Sequence, residues 1–136
     1  MEARLFTPSE ANELLPKLRE ELAKLQALLS DIESQQQELK RAKSVHRSPS
    51  NGNGDGDPFF LMESRIDFMR MEAQLLIDNF ARAGVLLKMV QPGLLDFPSV
   101  IDGEEALLCW KEGEERITHY HGWQDGFAGR KPLPEI

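Results

Sequence analysis

Two stretches of the chain place apolar residues in alternating steps of three and four, and a third changes to the shorter period of strands. In the first, Leu15, Leu18, Leu22, Leu25, Leu29, Ile32, Gln36 and Leu39 follow one another with Lys, Arg, Glu and Gln between them. Steps of three and four put these positions on one helix face, the spacing of a coiled-coil seam. Thr7-Pro8-Ser9-Glu10 supplies the start: Thr7 can cap, Pro8 suits the first helical position, and Glu10 completes a capping box. The spacing predicts a helix over residues 7–44, with a kink where Pro16 removes a backbone donor. In the second stretch Met62, Ile66, Met69, Ala73, Leu76, Phe80 and Ala83 repeat the pattern, predicting a helix over 59–83 that stops at Gly84.

After Gly84 the pattern reads as strands. Val85–Val90 and Leu94–Ile101 flank the turn Gln91-Pro92-Gly93, and Pro98 gives the second of them the character of an edge or bulged strand. Asp102-Gly103 is a two-residue hairpin signal, because both central positions must tolerate positive φ. Glu104–Trp110 then forms a third strand, Lys111–Glu115 a turn, and Arg116–His121 a fourth strand. Residues 122–136, with Gly126, Gly129, Pro132 and Pro134, predict an irregular tail. The fold class is therefore α+β in a single domain, residues 1–136: a long antiparallel helical hairpin, a three- or four-stranded antiparallel sheet over 85–121, and the tail.

Residues 45–58, VHRSPSNGNGDGDP, offer nothing to bury and join the two helices as a flexible linker. Asn51, Asn53, Asp55 and Gly56 imitate the start of a calcium loop. Pro58 then interrupts it, and Met62 stands where a bidentate Glu is needed. Lys40, Arg41, Lys43 and Arg47 read as a solvated basic helix end, beside the negative end of the helix dipole.

Composition narrows the functional classes. The chain has 136 residues, 40% hydrophobic and 29% charged, in the range of a folded globular protein. A net charge of −7 repels phosphate backbones, which argues against a nucleic-acid partner. No apolar run follows a basic start at the N-terminus, and none approaches the ~20 residues of a membrane span. One cysteine excludes an intrachain disulfide, so the expected compartment is the cytoplasm. Each apolar seam is longer than a small sheet can cover, which predicts a homodimer built through the helices.

The candidate chemistry lies between Asp96 and Arg130. His119 and His121 are two apart on a strand and share a face, where they could bind a divalent transition metal with Asp125 or Asp96. Asp96 and Arg130 invite an ion pair that pins the tail, or an anion pocket of loop amides and guanidinium. Cys109, between Leu108 and Trp110, reads as a buried small hydrophobe, and a His across the hairpin would make a Cys/His pair. Hairpin geometry brings Asp96, His121 and Arg130 toward one end of the sheet.

Phe6-Thr7, Glu10-Ala11-Asn12, Leu14-Leu15-Pro16 and Leu18 resemble the opening of a bacterial family catalogued as domain of unknown function 2203. Gly93-Leu94, Asp96-Phe97-Pro98, Leu108-Cys109-Trp110, Gly113-Glu114, His121 and Gly126-Phe127-Ala128-Gly129-Arg130 extend the likeness over nearly the whole chain except the linker. The chain departs from the family at Tyr120, where Trp is usual, and at Gln124, with its acidic residue displaced to Asp125. The resemblance implies a small cytosolic domain of helices followed by a short sheet, and implies no activity. Two functional expectations follow. The first is a non-catalytic interaction or scaffold protein, a coiled-coil homodimer without cofactor that acts on a protein partner and neither nucleic acid nor membrane. The second is a metal- or anion-binding enzyme with its site around Asp96, His119, His121, Asp125 and Arg130.

Overall fold

The computed structural model describes residues 4–46 and 57–134. Helix α1 spans Pro8–Val45 and helix α2 spans Phe60–Arg82, packed on each other as a hairpin. The capping box is present in full: the Glu10 amide donates to Thr7 Oγ1 at 3.1 Å, and the Thr7 amide donates to Glu10 Oε1 at 2.8 Å. The α1 helix continues through Pro16. Ala11, Leu15, Leu18, Leu22, Leu25 and Ile32 are the buried positions of the α1 seam, and Ile66, Ala73 and Phe80 those of α2. Gln36 is exposed, so the α1 seam loses its burial near the far end of the hairpin. Of the linker, only its two ends belong to the described residues. Arg47 and the calcium-loop positions Asn51, Asn53, Asp55 and Gly56 lie outside them.

Five antiparallel strands follow in sequential order: β1 Leu86–Met89, β2 Leu94–Ile101, β3 Glu104–Lys111, β4 His119–His121 and β5 Lys131–Pro132. This is the expected α+β arrangement with one strand more. The tail is not wholly irregular, because Lys131 pairs with Tyr120 and Pro132 with His119 as β5. The fourth strand is shorter than expected, since only 119–121 joins the sheet. The residues ahead of it are held instead by a helix side chain. Asn12 Oδ1 accepts from the Ile117 amide at 2.7 Å, and its Nδ2 donates to the Ile117 carbonyl at 3.4 Å. An Asn side chain carries the same donor and acceptor as a peptide, and here it stands in for a neighbouring strand.

Asp102 and Gly103 adopt φ of 53° and 81°, as the β2–β3 hairpin turn requires. That turn sets Leu95 opposite Trp110 and Phe97 opposite Leu108. These four side chains face the helices and enter the main core with Phe6, Leu18, Leu22, Leu25 and Phe80. Phe6 meets Phe97 edge to face, with ring centroids 5.3 Å apart. Side chains alternate along a strand, so Asp96, Cys109, His119 and His121 occupy the opposite face of the sheet, away from the helical hairpin.

Candidate functional site

Register accounts for the cluster on that outer face. Asp96 on β2 is paired with Cys109 on β3, and Cys109 with His119 on β4. His121 is two residues further along, opposite Leu107, and its ring reaches back diagonally over β3. Its Nε2 lies 3.2 Å from Asp96 Oδ1. Asp96, Cys109 and His121 are only 2%, 0% and 3% exposed, so this polar group is sealed from bulk water. Each offers one ligand-capable atom, and these three atoms lie within 4.8 Å of one another.

The hydrogen bonds specify protonation. His121 Nδ1 is 2.8 Å from the Gly122 carbonyl, which can only accept, so Nδ1 carries a hydrogen. Nε2 therefore faces Asp96 Oδ1 either through a second proton or through another cation. A bare ring nitrogen against a carboxylate would leave two acceptors opposed in a buried place, an arrangement costly enough to be rare. Burial pushes the Cys109 thiol up to about 11, with the guanidinium of Arg130 acting in the opposite direction and Asp96 adding to the rise. At neutral pH the sulfur is a thiol rather than a ready nucleophile.

Arg130 closes this face from the tail. It follows a single 3₁₀ turn, Phe127–Gly129, that enters at Gly126 with φ of 69°. Its Nη1 lies 3.9 Å from Cys109 Sγ, and its guanidinium stacks 4.5 Å from the centroid of Phe127. The expected Asp96–Arg130 ion pair does not form. Arg130 instead makes a two-point pair with Glu114, at 3.1 Å from Nη1 to Oε1 and 2.8 Å from Nη2 to Oε2. The reason is the turn after β3. Gly113 takes φ of 107°, Glu114 Oε1 accepts from the Lys111 amide at 2.8 Å, and the Glu114 carbonyl accepts from the Trp110 indole at 2.9 Å. Glu114 is thus prepositioned just beyond the end of β3, where it meets Arg130. Burial pushes the Glu114 carboxyl up, but the hydrogen bonds from Arg130 and the Lys111 amide outweigh this and hold it below its ordinary range.

The other expected residues separate. His119 is half-buried and its Nδ1 bonds Thr118 Oγ1 at 2.9 Å. Asp125 is exposed and its Oδ2 accepts from the Gly122 amide at 3.1 Å, closing a local turn. The three-residue set expected for a metal (His119, His121 and Asp125) is therefore not the one the fold gathers. Among the described residues the set brought together is Asp96, Cys109 and His121. Asp96, His121 and Arg130 do converge on one region, with Cys109 at its centre. Nothing in the sequence spacing marks Glu114 as a site residue, because its role depends on how the Gly113 turn aims it.

A surface groove of about 520 Å³ is lined by residues that include Asn12, Ile101, Ile117 and Leu133, and by no member of the cluster. A second surface feature lies on α2. Leu61, Phe68, Met71 and Leu75 are 78%, 64%, 65% and 57% exposed. Leu61, Phe68 and Leu75 are seven residues apart, and Met71 falls three after Phe68, so the four form an exposed stripe with coiled-coil spacing along α2, of which Leu75 also lines a groove against Lys24, Ala27 and Leu28 of α1. No described helix is long and apolar enough to cross a membrane.

No curated protein and no solved structure matches the chain. A family model described as "Uncharacterized conserved protein (DUF2203)" matches residues 4–133, from the segment ahead of α1 to the end of β5. The chain belongs to that family.

Proposed function

We propose that the protein is a non-catalytic scaffold that works as a homodimer, joined through the outer face of α2. The observation that carries this reading is the exposed Leu61, Phe68, Met71 and Leu75 stripe. A heptad row of large apolar side chains has no use on a solvated helix, and a second copy presenting the same row would bury it. An antiparallel pairing centred between Phe68 and Met71 seats each Phe68 against the partner's Met71, with Leu75 against the partner's Ser64 and Leu61 against the partner's Asp78, so the apolar burial is concentrated in the two central Phe68–Met71 layers. Charge fits the same register. Arg65 and Glu72 both stand one position beyond the stripe, so two Arg65–Glu72 pairs would flank the central layers. The α2 helices are about 34 Å long at about 1.5 Å per residue. Pairing them antiparallel sends the two sheets to opposite ends, a bivalent arrangement suited to linking protein partners. The buried, protonated state of Cys109 also suits a protein that does not use it as a nucleophile.

Sedimentation equilibrium at micromolar concentration tests the reading. The expected mass is twice the 15.5 kDa of one chain, with Phe68→Glu and Met71→Glu together giving a folded monomer. Arg65→Glu should weaken the dimer, and adding Glu72→Arg should restore it. A parent protein that sediments as a monomer overturns the proposal. A dimer indifferent to Phe68 and Met71 also overturns it.

A further inference from the structure

We infer that Asp96 Oδ1, Cys109 Sγ and His121 Nε2 form a binding site for a divalent transition metal ion of the zinc class. Three observations carry the inference. The first is composition and placement. One carboxylate, one thiol and one imidazole, all buried, come from three adjacent strands with their ligand atoms within 4.8 Å of one another. Ligands on paired strands are held more firmly than ligands on loops. Oxygen, sulfur and nitrogen donors in one set suit a tetrahedral borderline-soft ion and poorly suit calcium or magnesium.

The second is spacing. Ligand bonds of about 2.0–2.1 Å for nitrogen and oxygen put neighbouring corners of a tetrahedron about 3.3 Å apart. Asp96 Oδ1 and His121 Nε2 are 3.2 Å apart. The pair therefore already has the separation of two ligands on one ion.

The third is the orientation of the imidazole. Metal-bound histidines commonly donate their second ring hydrogen to a carbonyl or carboxylate, which presents the other nitrogen as a lone pair. His121 does this through Nδ1 and the Gly122 carbonyl at 2.8 Å, leaving Nε2 as the donor aimed at Asp96. A divalent ion at this point replaces the proton shared by Nε2 and Oδ1 and the proton of the Cys109 thiol. Two protons leave as two positive charges enter, so the buried charge is unchanged. Arg130, 3.9 Å from Sγ, bounds the remaining side of the cluster.

The chain has one cysteine, so a thiolate signature identifies the site without ambiguity. The experiment titrates the purified, untagged full-length protein with Co²⁺ and follows the thiolate-to-cobalt charge-transfer band in the ultraviolet. The expected result is a band saturating at one ion per chain, displaced by Zn²⁺. The band should vanish in Cys109→Ala, a change that keeps a small apolar group in place. In Asp96→Asn, which keeps the thiol and the side-chain shape but removes the ligand's charge, affinity should fall by more than the roughly tenfold that loss of an outer partner of a ligand costs. Circular dichroism of both variants confirms that they are folded. No charge-transfer band in the parent overturns the inference, and so does cobalt binding that leaves the single thiol titratable. Unchanged affinity in folded Asp96→Asn overturns it as well.

Discussion

Asp96 Oδ1 on β2 and His121 Nε2 on β4 meet at 3.2 Å above the strand that separates them, two residues out of cross-strand alignment. Neither side chain has solvent to fall back on. Truncating one member leaves the other as an uncompensated polar group, a loss of about 3–5 kcal/mol for buried pairs. Asp96→Ala is expected to lower stability by that amount in urea denaturation. The Asp96→Ala, His121→Ala double variant should lose less than the sum of the single losses, with a coupling above about 1 kcal/mol. Strict additivity would show that the two side chains do not interact.

The Glu114–Arg130 pair should appear in the acid limb of stability. The Glu114 carboxyl is held below its ordinary range in the folded protein, so the folded state binds its proton less readily than the unfolded chain. Its contribution is present above the unfolded value of about 4.3 and is lost as pH falls below it through the folded value. A partly buried two-point pair contributes about 1–2 kcal/mol. Glu114→Gln should lose that contribution at neutral pH and flatten the acid limb, measured by denaturation at a series of pH values. A variant whose acid limb parallels the parent's would refute this.

Cys109 supplies the opposite sign. Burial raises its thiol to about 11, against about 8.5 in an unfolded chain. The stabilisation is complete below about 8.5 and is lost as pH rises from there toward the folded value. Cys109→Ala should abolish this alkaline decline. Iodoacetamide should leave Cys109 unlabelled in native metal-free protein at pH 8 and label it in denaturant, as read by mass spectrometry. Equal labelling rates in the two states would contradict the burial argument.

Gly93 and Leu22 should be coupled. Gly93 is buried beneath α1, and a methyl group added there would fall on the Leu22 side chain. Its amide also donates to Glu112 Oε1 at 2.7 Å, and that carboxylate accepts from Gln26 at 2.9 Å, so the turn cannot easily retreat. Gly93→Ala is expected to cost about 1–3 kcal/mol by overpacking. Leu22→Ala alone should cost about 2–5 kcal/mol, and the double variant should recover part of the sum. Thermal denaturation of the four proteins checks it, and a double variant at or beyond the sum would sink the idea.

Local order along the chain was sufficient for the helices, the β2–β3 hairpin and the inner face of the sheet. Thr7, Pro8 and Glu10 make the α1 cap with their immediate neighbours, and Asp102-Gly103 makes its turn with no distant help. The alternation of Leu95, Asp96, Phe97 and of Leu108, Cys109, Trp110 likewise separates core from outer face, because side-chain direction in a strand follows from position alone. Long-range placement decided the rest. Whether 116–118 extend β4 depended on Asn12, which lies 105 residues from Ile117. Whether the tail is irregular depended on a free edge at Tyr120 and His119 for Lys131 and Pro132 to join. Arg130 had acidic residues available in either direction along the chain, and only the aim of the Gly113 turn selected Glu114 over Asp96. Cys109 entered the cluster through strand register, which sets it opposite Asp96 on β2 and His119 on β4. Sequence spacing tells which face a side chain takes, while the partner it meets there depends on strand register and on how loops fold back over that face.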